Sequence, residues 1–312
     1  MAPMFIAGDW GTSRLRLYLC EGDRVVDRKA GPGAVGPHGQ HEAILFSLIE
    51  PWLAEHGPKS VWLCGMVGSR NGWVEAPYVP SPAGMEDLQR LLVHFDAKGT
   101  QVAIVPGVVG ESPRGGPDVM RGEETQIVGA LTLAPQLAGG RRLIALPGTH
   151  TKWVVIDDGR VTSFQTALSG ELFALLRDHG ALARVGGEDG AGERGGGFAL
   201  GLERYAQARA AGLLHALFEV RSRQLIDGWA PAFALDFLSG LLIAADVEGA
   251  VAQFAGLTQD VVLVGEPLLT DRYSQALARG GARSSALSGE ACVLAGLGAI
   301  AGCRKDADHV AR

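Results

Sequence analysis

The segment "LPGTHTKWVVIDDGRVTSF" at 146–164 falls on "DWGTSRLRLYLCEGDRVVD" at 9–27 with a constant offset of 137 residues. Gly148-Thr149 overlies Gly11-Thr12, Lys152–Ile156 overlies Leu15–Leu19, and "DDG" overlies "CEG". A repeated unit constrains a chain more than any local signal, because both copies must bury the same faces in the same way. Each copy reads as a short apolar strand, a Gly-Thr turn, an alternating strand, a tight turn and a return strand.

The first copy continues with helical spacing at 41–57, where Pro51 can kink the helix and Gly57 stops it. Compact apolar strands follow at "SVWLCG" and "QVAIVPG", with helical "AGMEDLQRLLVHF" between them, and a helix is predicted to begin near Asp118. The second copy continues with helical "GELFALLRDHG", a Gly-rich stretch at 186–197, helical segments near 202–220 and 232–248, the strand "DVVLVG", and helices from Pro267 and Gly289. Small residues in the last helix permit close helix approach. The pattern is α/β, a duplicated βββαβαβα unit. The expected division is residues 1–135 for acid and phosphate binding and 136–312 for the nucleotide, with a cleft between the two domains.

The first turn has two chemistries. Asp, Gly, Thr and Ser are ordinary hairpin residues. They also suit a phosphate: Gly11 admits backbone N–H groups, Thr12 and Ser13 donate, and Asp9 can hold the accompanying metal. The repeat separates these readings. Asp9 overlies Leu146, so the fold itself does not demand a carboxylate there. A residue present in one copy only is better explained by chemistry, and the phosphate reading is preferred.

Composition narrows the partners. A net charge of −6 with no basic block argues against nucleic acid. No run approaches the roughly 18 apolar residues that span a bilayer, and the start lacks a secretion signal. Cys20, Cys64, Cys292 and Cys303 show neither zinc-site nor disulfide spacing. His38 and His41 lie in a Gly/Pro-rich surface turn. A soluble cytoplasmic protein is expected, with room for a homodimer. The 45 glycines imply many positive-φ turns or close backbone approaches.

"DWGTSRLR", "GMVGSRNGWVEAPY", "PDVMRGEETQIVGA" and "LPGTHTKWV", in that order, resemble the 2-dehydro-3-deoxygalactonokinase family. That family lies within the sugar kinase, actin and heat-shock chaperone superfamily, of ribonuclease H-like, actin-like ATPase fold. The resemblance covers nearly the whole chain. It implies ATP- and Mg²⁺-dependent phosphorylation of the 6-hydroxyl of 2-dehydro-3-deoxy-D-galactonate in galactonate catabolism. His150 departs from the small residue that related sugar kinases usually carry in the second turn.

The resemblance suggests a role for each motif. Asp9 holds Mg²⁺, with Glu123 and Glu124 reaching it through water unless they only line a solvated helix face. Gly11, Thr12 and Ser13 meet the phosphates from one side, and Gly148, Thr149, His150 and Thr151 from the other. Asp118, at the start of its predicted helix, is the expected proton acceptor; Asp is equally a preferred helix cap there. Gly265, between a strand and a helix, is expected to lie against adenosine. An acid substrate needs a cation, and Arg70, with Ser69 beside it, is the first candidate. Arg14 and Arg121 compete for that role, and Trp73 and Tyr78 are candidates for a sugar wall. Two alternatives remain: a same-fold kinase for another keto-deoxy acid or a hexose, and a non-catalytic actin-like nucleotide-binding module. There is no Gly-Lys-Ser/Thr sequence, which disfavours a P-loop enzyme.

Overall fold

The alternating and fully apolar runs of the first copy become β1 (Met4–Trp10), β2 (Arg14–Glu21) and β3 (Arg24–Pro32). The computed structural model describes residues 3–36, 39–182 and 196–302. His38, Cys303 and nearly all of the Gly-rich stretch at 186–197 lie outside the described residues. After α1 (His41–His56) come β4 (Val61–Cys64), β5 (Tyr78–Pro80), α2 (Met85–Arg90), β6 (Val93–Ala97) and β7 (Thr100–Ile104). A hairpin of β8 (Gly107–Glu111) and β9 (Pro117–Met120) leads to α3 (Glu123–Leu133).

Six strands form one sheet in the order β3-β2-β1-β4-β7-β6, and β5-β8-β9 form a small separate sheet. β1 runs antiparallel to β2 and parallel to β4, with Asp9 opposite Arg16 on one side and Cys64 on the other. Ile6, Leu15, Leu17, Leu19 and Leu63 fill the core between sheet and α1, together with Leu45, Ile49 and Trp52 from that helix. Pro51 is accommodated inside α1.

The second copy gives β10 (Arg141–Leu146), β11 (Thr151–Asp157) and β12 (Arg160–Ala167), then α4 (Ser169–Asp178). The helices α5 (Gly197–Ala208), α6 (Leu213–Leu217), α7 (Glu219–Ile226) and α8 (Pro231–Gln253) precede β13 (Asp260–Gly265), α9 (Pro267–Arg279), β14 (Arg283–Ser288) and α10 (Gly289–Ile300). Its sheet order is β12-β11-β10-β13-β14, matching β3-β2-β1-β4-β7 of the first copy strand for strand. The duplication seen in sequence is thus a duplication of sheet topology.

Three local expectations are corrected. The helix expected over 83–95 ends at Arg90, and Val93–Ala97 pairs antiparallel with β7, because alternating "VHFDA" suits an edge strand. The helix expected at Asp118 starts at Glu123, after Gly122 at φ +109°, and Asp118 lies in β9 opposite Gly110. The structure adds the strands β5, β8, β9 and β14 where the sequence pattern predicts none.

The chain divides into two compact units, 1–142 with 154–165 and 287–312, and 143–153 with 166–286. The position 135/136 therefore falls inside the first unit. The helix α10 also belongs to that unit, because its small residues let it lie directly on α3: Gly296 meets the Thr125 carbonyl and Gly129 meets that of Cys292.

Candidate active site

In the first unit, β1 carries Asp9 to the end of the parallel pair β1–β4. Its Oδ2 accepts from Arg16 Nη1 at 3.4 Å. Burial pushes the carboxyl up from its ordinary range, opposed by the Arg16 charge and hydrogen bond. The turn behind it closes through Gly11 N–H to Arg14 O at 3.0 Å and leaves Thr12 and Ser13 exposed. Gly65, at φ +93° after β4, would place a Cβ 2.8 Å from the Trp10 carbonyl; a Cβ on Gly122 would lie 3.4 Å from Gly65 Cα. Glycine at both places lets the N-terminus of α3 abut the end of β1.

That helix start brings two carboxylates. Glu124 is buried, accepting from Gly122 N–H at 2.7 Å and from the Thr125 hydroxyl at 3.0 Å. Burial, aided by the neighbouring Glu123 charge, pushes its carboxyl up to about 8. Glu123 is partly exposed and accepts from Arg121 N–H at 3.0 Å. Burial holds the Cys64 thiol far above its usual range, and the charges of Asp9, Glu124 and Glu123 all add to this. Asp118 lies apart from the start of α3, in β9 opposite Gly110.

Among the described residues no three His, Cys, Asp or Glu side chains gather as a cation cage. A single carboxylate beside exposed hydroxyls still fits Mg²⁺, which is commonly held by one or two carboxylates and otherwise by water and substrate phosphates.

The remaining candidates separate clearly. Arg70 and Arg14 are exposed, with no ion pair or hydrogen bond to their side chains among the described residues. Arg121 donates from Nη2 to Ala76 O at 2.8 Å and stacks 4.3 Å over the exposed Tyr78 ring. Its Nε and Nη1 are buried without partners, as is Ser69 Oγ. Buried donors are rarely left unmade, since each costs about 1–3 kcal/mol. Trp73 is half-buried and packs edge-on against Trp10 and Phe95, at 6.5 and 4.9 Å. Tyr78 supports Arg121.

In the second unit, the turn after β10 repeats the exposed tip with Thr149 and His150. His150 Nε2 meets Glu171 Oε2 at 2.5 Å, and Glu171 N–H donates to Thr149 O at 2.8 Å, so α4 begins against this turn. Gly265 ends β13, next to β10, 3.3 Å from the Pro147 carbonyl as measured from its would-be Cβ. Thr151 departs from its expected role. Its side chain is buried, and its hydroxyl pairs with Tyr273 at 2.8 Å and Ser169 at 2.9 Å. Sequence inspection missed Tyr273, Ser169 and their shared partner Asp246, which are far apart in the chain and match no motif.

Paired copies of a strand-turn-strand sheet, with exposed hydroxyl-bearing turns and a carboxylate in the first copy only, are the arrangement of a carbohydrate kinase of actin-like ATPase fold. The 2-keto-3-deoxy-galactonokinase family profile matches residues 9–300. A Rhizobium meliloti (strain 1021) relative, assigned as a 2-dehydro-3-deoxygalactonokinase, is 36% identical over 307 residues, covering 96% of this chain and 97% of the relative. The Escherichia coli (strain K12) 2-dehydro-3-deoxygalactonokinase is 35% identical over 304 residues, 96% of this chain and 98% of that one. A Sinorhizobium meliloti crystal structure given the same assignment superposes with TM-score 0.82 at 34% identity, covering 95% and 98% of the two chains. The activator of 2-hydroxyisocaproyl-CoA dehydratase from Clostridium difficile, at TM-score 0.53 and 15% identity, shares the fold. The chain belongs to the 2-keto-3-deoxy-galactonokinase family.

Proposed function

We propose that the protein transfers the γ-phosphoryl group of ATP to the 6-hydroxyl of 2-dehydro-3-deoxy-D-galactonate. The observation that carries this reading is Asp9: the repeat does without it in the second copy, and the first copy sets it where α3 delivers further carboxylates. Phosphoryl transfer requires positioning, charge neutralisation and an oriented nucleophile. ATP is the donor. Thr12 and Ser13 hydroxyls donate to phosphate oxygens, and the second turn, Gly148 to His150, does so from the nucleotide's side, with Gly265 against the adenosine. Mg²⁺, held by Asp9, would neutralise phosphate charge when bound.

The proton acceptor is proposed to be Glu123 in place of Asp118. The family resemblance gives that role to Asp118 at the start of a helix, whose N-terminus would also favour the ionised carboxylate. That position belongs to Glu123, while Glu124, beside it, is buried and engaged. The substrate's carboxylate is assigned to Arg121 and Ser69, whose unpaired buried donors an anion would satisfy. Arg70 and Arg14 are exposed cations that can attract the acid to an otherwise acidic protein.

A coupled ADP-release screen over 2-keto-3-deoxy acids and neutral sugars tests this. Turnover should be highest on 2-dehydro-3-deoxy-D-galactonate. Turnover on hexoses with none on keto-deoxy acids would remove the substrate assignment.

A further inference from the structure

The second unit holds a half-buried carboxylate that no motif announces. Asp246 lies mid-way along α8, and three elements of the nucleotide side converge on it. Its Oδ1 accepts from Trp153 Nε1 of β11 at 2.8 Å. Its Oδ2 accepts from the Ser169 hydroxyl, the first residue of α4, at 2.8 Å, and from the Tyr273 hydroxyl of α9 at 2.5 Å. Ser169 and Tyr273 lie 3.0 Å apart, and Thr151 contacts both. With the Ser169 and Tyr273 protons committed to the carboxylate, the Thr151 hydroxyl donates to one of their oxygens. Three hydroxyl protons cannot serve all of these close approaches, so the Ser169–Tyr273 approach and one of the two from Thr151 are packing contacts.

The array encloses the turn that faces the phosphates. Thr151 is the residue leaving that turn, and Ser169 begins the helix packed against it. A Cβ on Gly170 would sit 2.1 Å from the Gly148 carbonyl, so the two segments touch without slack. Tyr273 belongs to the helix that follows Gly265. One side chain thereby fixes the entry of β11, the start of α4 and the body of α9. Burial alone pushes the Asp246 carboxyl up, while the Tyr273, Trp153, Ser169 and Thr151 hydrogen bonds oppose that rise.

We infer that Asp246 is a positioning residue for nucleotide binding, acting through Ser169, Thr151 and Tyr273 on the turn Gly148 to His150. The inference rests on the proposal that this turn meets the triphosphate. Asn at 246 cannot reproduce the array: whichever way its amide faces, an NH₂ group replaces an acceptor toward Trp153 or toward the two hydroxyls.

Calorimetric binding of ADP and of a non-hydrolysable ATP analogue, without sugar acid, provides the test, at a temperature well below each variant's Tm. Asp246→Asn should weaken both nucleotides about tenfold or more, and Tyr273→Phe and Ser169→Ala about threefold, as expected when a supporting group lets a binding group drift. The KM for the keto-deoxy acid should change less than about twofold in all three, and Asp246→Asn with Tyr273→Phe should fall short of additivity. Lowered Tm with unchanged nucleotide affinity would overturn the inference, as would equal losses for nucleotide and acid. If Asp246→Asn does not fold, Tyr273→Phe and Ser169→Ala decide the question alone. Wild-type protein that binds no nucleotide would instead refute the underlying site assignment.

Discussion

Two Gly→Ala substitutions of identical chemistry are expected to move stability in opposite directions. At Gly129, in α3, an added Cβ would lie 1.7 Å from the Cys292 carbonyl oxygen and 2.9 Å from its Cα, where ordinary contact begins near 3.4 Å. The obstacle is backbone of α10, so no side-chain rotation relieves it and the helices must separate. Overpacking a core costs about 1–3 kcal/mol and sometimes more; a backbone clash this deep belongs at about 3 kcal/mol or above. At Gly249, on the exposed face of α8, a Cβ meets nothing within 4 Å. Alanine there gains about 0.5–1 kcal/mol of helix stability. Thermal unfolding reads both changes. With about 2–4 °C per kcal/mol for a protein this large, Gly129→Ala should lose roughly 6–12 °C and Gly249→Ala gain roughly 1–4 °C. An unchanged or raised Tm for Gly129→Ala would refute the direct α3–α10 packing, and with it the place of the last helix in the first unit.

Six further substitutions probe the proposed chemistry. Asp9→Asn should lower kcat by about 10²-fold and raise the Mg²⁺ needed for half-maximal rate, with Tm little altered; a normal Mg²⁺ response would free Asp9 from that role. Glu123→Gln should lower kcat by about 10²-fold at nearly constant KM, with Asp118→Asn far milder; the reverse ranking would return the proton acceptor to β9. Arg121→Lys should raise KM for the acid by about tenfold and leave that for ATP unchanged, because a point charge cannot replace the planar group. If Arg70→Ala shows that pattern instead, the carboxylate is held by the exposed arginine. Glu124, held near 8 in the folded protein against an ordinary 4.5, keeps a proton that the unfolded chain has lost. Wild-type stability should therefore fall between about pH 5 and pH 8, so the advantage of Glu124→Gln grows over that interval and then levels. A difference constant with pH would show that Glu124 is ionised when folded.

The duplicated sheet was legible because strand-turn-strand periodicity survives in both copies, and the Asp9–Leu146 mismatch singled out Asp9 within it. Arg121 and Ser69 were visible as candidates, though only burial reveals their unpaired donors. Asp118 misled because Pro-Asp ahead of an acidic, apolar run imitates a helix start. The φ of +109° at Gly122, which sets the actual start five residues after Asp118, depends on the approach to Gly65. Thr151 carries a hydroxyl suited to a ligand, yet in the fold that hydroxyl meets Ser169 and Tyr273. The Asp246 array joins β11, α4, α8 and α9 across 120 residues, a distance at which sequence spacing says nothing about contact.

The most direct test of the central claim is the identity of the product. Phosphorus–proton correlation NMR of a reaction containing ATP, Mg²⁺ and 2-dehydro-3-deoxy-D-galactonate should show one new phosphoester, coupled to the two C6 protons and formed in step with ADP. ADP release with inorganic phosphate and no phosphoester, or a phosphoester at another carbon, would contradict the proposed activity.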